Sequence, residues 1–207
     1  MEQTEQKKQN KSFNMILSVF IVAIVVIAAI NLKNQVKPEV SINGQTLKLT
    51  MTVQDLVDTG FTVGISMKGT GGLDLDSQPQ VPGEKYSSTS YYIFKDGEYT
   101  NVDFSVYNRS VNSCDFKDSR IYDFTFFNFS SSDTEVLING IDIGGMEKEE
   151  ALQAFEKLGV KFDKDDKEEF LSGERGFIIG KSGDYSFEID TDDAKEVIES
   201  IRVKLRL

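Results

Sequence analysis

The chain has no histidine and no tryptophan, one cysteine, and three prolines in 207 residues. Without histidine, the commonest general base near neutral pH and the commonest transition-metal ligand are both missing. Cys114 stands alone, so no intrachain disulfide and no structural zinc site can form. With no histidine beside it, the thiol also lacks its usual activating base. An extracytoplasmic domain without disulfides is common in Gram-positive bacteria and uncommon among secreted eukaryotic proteins, so the reading leans bacterial. In that setting the formal glycosylation sequons Asn108-Arg-Ser110 and Asn128-Phe-Ser130 carry no weight. No Ser-x-x-Lys occurs, so a penicillin-binding-type serine is not signalled. Positive charge is also in deficit: 34 acidic against 23 basic side chains leave a net charge of −11. A surface of that sign is repelled by nucleic acid and by anionic lipid headgroups.

Charge is absent altogether between Lys11 and Lys33. As a helix rising about 1.5 Å per residue, that interval is roughly 30 Å long and matches a bilayer core. Phe13 to Leu32 is therefore expected to be a transmembrane helix, the chain's contact with a membrane. The slight excess of Lys7, Lys8 and Lys11 over Lys33 and Lys37 places the N-terminus in the cytoplasm and the rest outside. The rival reading is a cleaved signal peptide, for which the apolar run is long and Val26-Ile27-Ala28 is a mediocre cleavage site. Residues 1–12 read as a cytoplasmic stub and 33–38 as a linker, localising the protein to a plasma membrane as a single-pass protein.

Beyond the linker, Val40 to Leu49 alternates around Asn43-Gly44, a hairpin signal, because both residues tolerate the positive φ of a tight turn. Thr52 and Asp55 resemble a capping box ahead of a helix carrying Val53, Leu56 and Val57, with Gly60 suited to end it. Residues 61–89 read as a long loop punctuated by glycine and proline. Lys68-Gly-Thr-Gly-Gly72 lacks the spacing of a phosphate loop and no helix follows it. A second hairpin turns at Asp96-Gly97, its second strand running to about Tyr107, and a third strand spans 121–129. The aromatic density of these strands suggests a sugar or peptide platform, but packing of a half-buried sheet explains it more simply.

After Ser130-Ser-Ser132 the plan restarts. Val136 to Ile143 matches Val40 to Leu47 at a constant offset, and Met146 answers Met51. Glu147 to Leu158 is an amphipathic helix with Ala151, Phe155 and Leu158 on one face and Gly159 as its cap. Ile179-Gly-Lys181-Ser-Gly183-Asp-Tyr185 mirrors Ile93-Phe-Lys95-Asp-Gly97-Glu-Tyr99, and the strand at Ile201 answers the one at Ile121 with a register open by one residue. The expected fold is α+β: the transmembrane helix, then two tandem units of hairpin, helix, hairpin and strand, 39–132 and 133–207, each helix lying on its own mostly antiparallel sheet. The first unit has the longer connection between helix and second hairpin. Lys68, Gly69, Gly71, Gly72, Pro79 and Pro82 are accordingly the candidate partner-binding residues.

Ile138-Asn-Gly140, Gly145-Met146-Glu-Lys-Glu-Glu-Ala151 and Leu158-Gly159 together resemble the signature of small α+β envelope domains, the SmpA/OmlA-like outer-membrane assembly proteins and the similarly built β-lactamase-inhibitor-like domains. The resemblance covers about 25 residues. It departs from those lipoproteins in having an apolar anchor in place of a lipid-modified cysteine, and the first unit has Thr50 where the motif has glycine before methionine. It implies a non-catalytic interaction module and names no partner.

Together these features predict a non-enzymatic binding module without a cofactor, its partner an envelope protein or cell-wall component. Two alternatives stand beside it. One is a carboxylate-based hydrolase, since an acidic domain contains candidate acid–base pairs although nothing singles one out. The other is a calcium-dependent adhesion module using Asp163-Lys-Asp165-Asp166-Lys-Glu168-Glu169, which has some calcium-loop spacing but lacks the glycine at its sixth position.

Overall fold

The computed structural model describes residues 36–67, 72–87, 89–127, 134–162, 168–169, 175–192 and 197–206, within one compact unit spanning Val36–Leu207. The segment Phe13 to Leu32 lies outside the described residues. Among those described, no helix is long and apolar enough to cross a membrane. The single-pass anchor, its orientation and the plasma-membrane placement thus find no support in the structure and are not carried forward.

Two short hairpins open the two halves. Strands β1 (Glu39–Ile42) and β2 (Gln45–Lys48) flank Asn43-Gly44, with φ of 49° and 76°. Strands β8 (Val136–Ile138) and β9 (Ile141–Asp142) flank Asn139-Gly140, with φ of 52° and 77°. The hairpins also pair with each other, giving one four-stranded sheet in the order β2-β1-β8-β9. Ser41 faces Leu137, its counterpart in the repeat, with Val40 opposite Ile138 and Ile42 opposite Val136. The hydrogen bonds are reciprocal: the Asn43 N–H donates to the Glu135 carbonyl (2.9 Å) and the Asn139 N–H to the Glu39 carbonyl (2.7 Å). A local two-fold axis therefore runs between Ser41 and Leu137.

Each hairpin leads into a helix. Helix α1 (Val53–Asp58) begins with a complete capping box, Thr52 accepting from the Asp55 N–H and Asp55 accepting from the Thr52 N–H. Helix α2 (Lys148–Leu158) ends at Gly159, which takes a left-handed φ of 101° that a side chain would strain. Ala151 and Phe155 are buried, whereas Leu158, expected on the same face, is exposed.

The remaining strands form one large antiparallel sheet. In the first half these are β3 (Thr62–Gly64), β4 (Lys85–Tyr86), β5 (Tyr91–Lys95), β6 (Glu98–Asn108) and β7 (Arg120–Phe127). In the second they are β10 (Lys161–Phe162), β11 (Glu168–Glu169), β12 (Arg175–Ser182), β13 (Tyr185–Asp192) and β14 (Val197–Leu205). The order β10-β12-β13-β14-β7-β6-β5-β3 is its own mirror about the β7–β14 seam, with β4 added beside β6 and β11 beside β12.

The strand pairing fixes the match between halves. Lys95 pairs with Glu98 and Ser182 with Tyr185, so the two-residue turns are Asp96-Gly97 and Gly183-Asp184. Aligning Gly97 on Gly183, as the residue types suggest, is thus one position off. The corrected match places Val102 on Ile189 and Thr100 on Phe187, all buried. A slip of one residue would have sent the whole strand's side chains to the wrong face. Val102 pairs with Phe126 and Ile189 with Ile201, making Phe126 and Ile201 counterparts, and these two face each other across the seam.

The α+β expectation is corrected by this architecture. The fold is sheet-rich, with helices of only 6 and 11 residues. The halves do not form separate sheets either. Leaving β7 and β14 as edges would expose two long rows of backbone N–H and C=O groups, whereas joining them satisfies both rows. The stretch 61–89 is also more regular than expected, containing β3, a 3-10 turn at Leu75–Ser77 and β4. Its backbone is pinned at Val81, which exchanges two hydrogen bonds with Cys114 (2.9 and 3.0 Å).

All these layers share one core. Val53 and Leu56 of α1, Ala151 and Phe155 of α2, and Phe116 of a second 3-10 turn (Phe116–Asp118) pack with Val40, Ile42 and Ile138 of the small sheet. They cover a single face of the large sheet, on which Phe104, Phe124, Phe126, Phe187 and Ile201 are fully buried. Phe155 meets Phe187 at a centroid distance of 5.5 Å.

Candidate functional site

The second face of the large sheet is built differently. Along β6, Val102, Phe104 and Val106 point into the core, so Asp103, Ser105 and Tyr107 point the other way. Directly opposed residues of antiparallel strands share a face. Tyr92 lies opposite Asp103 and Phe94 opposite Tyr99 on the β5 side, and Tyr86 lies opposite Tyr107. On the other side Ser105 faces Asp123 and Asp103 faces Thr125. Thr125 faces Arg202 across the seam, and Arg202 in turn faces Glu188. None of these side chains belongs to the core cluster. Among the described residues, the helices and 3-10 turns pack on the opposite face.

Five of the seven tyrosines, Tyr86, Tyr92, Tyr99, Tyr107 and Tyr122, lie on this second face, in two groups. In one, Tyr86 sits 4.6 Å from both Tyr107 and Tyr122. In the other, Tyr99 contacts Tyr92 edge-on at 5.5 Å and Phe94 at 5.8 Å. Gly64 of β3 makes room for Phe94, because a Cβ there would lie 2.8 Å from the ring. The aromatic richness of these strands thus serves two faces: Phe104, Phe124 and Phe126 are buried in the core, as packing of a half-buried sheet predicts, and most of the tyrosines lie on the other side.

Charged side chains occupy the ground between and beside the two groups. Asp123, 1% exposed, accepts a hydrogen bond from Arg202 Nη2 at 2.6 Å. Glu188 lies 3.9 Å from Arg202 Nη1 and forms an ion pair with Lys204. Burial works against the Arg202 charge, but the Asp123 hydrogen bond and carboxylate outweigh it and raise its pKa. Tyr122 is pushed up to about 12 by burial and by the Asp123 charge. Asp103 accepts from the Tyr99 hydroxyl at 2.7 Å. Burial pushes its carboxyl up to about 6, the Tyr99 hydrogen bond opposes that rise, and the Asp123 charge adds to it. The two carboxylates on neighbouring strands thus differ: Asp123 has a cation, Asp103 a phenol.

The residues singled out from sequence lie elsewhere. Lys68, Gly69 and Gly71 are outside the described residues. Gly72 is exposed beside Thr62 of β3, and the exposed Pro79 and Pro82 flank Val81 at its bridge to Cys114. The calcium-loop candidate falls mostly outside the described residues, at 163–167. Among those described, no group of three acidic or cysteine side chains is placed to hold a metal ion. Cys114 is a poor nucleophile, its pKa raised by burial and by the charges of Asp118 and Asp115.

The signal that sequence reading passed over is the strict alternation Val102-Asp103-Phe104-Ser105-Val106-Tyr107. It marks a strand whose second face is polar and aromatic. No family model matches the sequence, and no curated protein and no solved structure matches it either.

Proposed function

We propose that residues 36–207 form a non-enzymatic protein-binding module whose docking surface is the tyrosine-lined second face of the large sheet. The observation that carries this reading is the placement of five tyrosines on the side away from the core. Tyrosine offers a large, rigid, amphipathic contact at low conformational-entropy cost and is enriched among residues that dominate binding energy. A continuous sheet supplies a rigid platform, and the Asp123–Arg202–Glu188–Lys204 network fixes charges in place before a partner arrives. The resemblance of residues 138–159 to small envelope interaction domains favours the same reading.

The test is site-specific photocrosslinking in cells that make the protein. A photoreactive residue at position 86 lies on the tyrosine face, and one at Glu156 lies on the exposed side of α2. A single protein captured from position 86, not from 156, and lost on Tyr92→Ala with Tyr107→Ala, is the expected result. Equal capture from both positions, or none from position 86, refutes the proposal.

A further inference from the structure

Asp103 is only 7% exposed, yet among the described residues no cation faces it. Its electrostatic neighbours are the Tyr99 hydroxyl and the Asp123 carboxylate. Asp123, more deeply buried, has Arg202. Burying a carboxylate is costly unless a cation and hydrogen bonds compensate it. Two tyrosine rings stand beside this uncompensated group. Tyr92 lies directly across from Asp103, and Tyr99 meets Tyr92 at 5.5 Å with an interplanar angle of 69°. The result is a corner with two near-perpendicular aromatic walls and an anionic floor.

We infer that the corner formed by Tyr92, Tyr99 and Asp103 receives an arginine side chain presented by the partner protein, an assignment that rests on the binding-module reading above. A guanidinium is planar, stacks on an aromatic face while donating to a carboxylate, and is more weakly hydrated than an ammonium. It would give Asp103 what Arg202 gives Asp123. The net charge of −11 draws a cationic partner toward the surface at long range. Lysine fits less well, because its compact, strongly hydrated charge gains less from stacking.

Because the chain has no tryptophan, its emission comes from seven tyrosines, two of which, Tyr92 and Tyr99, line this corner. The full chain is titrated with acetylated, amidated tri-arginine, with the tri-citrulline and tri-lysine peptides as comparisons. Tri-arginine gives a saturable change in emission that weakens about tenfold in Asp103→Asn and by a similar factor in Tyr92→Ala, while tri-lysine binds several-fold more weakly. Tri-citrulline gives no saturation, and Glu156→Gln, on the exposed side of α2, binds like the wild type. Asp103→Asn is nearly isosteric, and Tyr92→Ala leaves the carboxylate in place, so either variant decides the question if the other fails to fold. Wild-type affinity in both variants, or an equal loss in Glu156→Gln, overturns the assignment. Photocrosslinked capture at position 86 that is undiminished by Asp103→Asn also overturns it while leaving the module reading intact. Failure of capture in the wild type refutes the module reading and this assignment with it, whereas capture that succeeds while the peptide titration fails refutes the assignment alone.

Discussion

Replacing Asp103 with asparagine should stabilise the fold at neutral pH, and by an amount that depends on pH in a defined way. The carboxyl titrates at about 6 in the folded chain against 3.8 for an unperturbed group. For an acid whose folded pKa is raised, the stabilising contribution is fully present below the unfolded value and is lost as pH rises through the folded one. Above about pH 6 the carboxylate is ionised in both states, but buried in the folded chain and fully hydrated in the unfolded one. The rise from 3.8 to about 6 corresponds to at most about 3 kcal/mol, and screening by the solvent that still reaches the carboxylate reduces this to about 1–2 kcal/mol. Asparagine avoids that cost and keeps an oxygen to accept the Tyr99 hydroxyl. Urea denaturation of both proteins, followed by far-ultraviolet circular dichroism, measures the difference. Comparing the two at each pH cancels the other carboxylates. Asp103→Asn should be more stable by about 1–2 kcal/mol at about pH 7.5, with the advantage shrinking between about pH 6 and pH 4 and vanishing below. No gain near pH 7.5, or a gain that does not change with pH, would refute the argument.

Two other perturbations probe the same architecture. Arg202→Met leaves the Asp123 carboxylate, 1% exposed, without its cation and should cost about 3 kcal/mol in urea denaturation, most of it recovered by adding Asp123→Asn. Gly83→Ala would place a Cβ 2.2 Å from the Val111 carbonyl oxygen, a backbone atom that cannot swing aside. A loss of about 2 kcal/mol or more is expected, read as a lower thermal midpoint, and a variant of unchanged stability would show that the two backbones are not held together.

Much of the local structure was legible in the residues themselves, because it depends on near neighbours. Asn43-Gly44 and Asn139-Gly140 announce tight turns, since few other pairs tolerate two successive positive φ values. Thr52 and Asp55 announce a helix start by satisfying each other's backbone donors. The repeat of this plan was also visible. What the sequence by itself determined, then, was where the chain turns, where each helix begins and ends, and which residues of β6 alternate.

Only the tertiary structure decided how those pieces face one another. Nothing local distinguishes two sheets from one, and the choice depends on β7 meeting β14 and β1 meeting β8, pairings between residues far apart in the chain. The one-residue difference between matching glycines and matching turns is invisible until the strand register fixes it. The candidate site depends on the same long-range pairing. Asp103 was one acidic residue among 34. It became distinctive only when β5 set Tyr92 across from it and β7 brought Asp123 alongside, with Arg202 of β14 taken up by Asp123. Backbone preferences act over a few residues, whereas the burial and pairing of a charge are set by whichever strands meet around it.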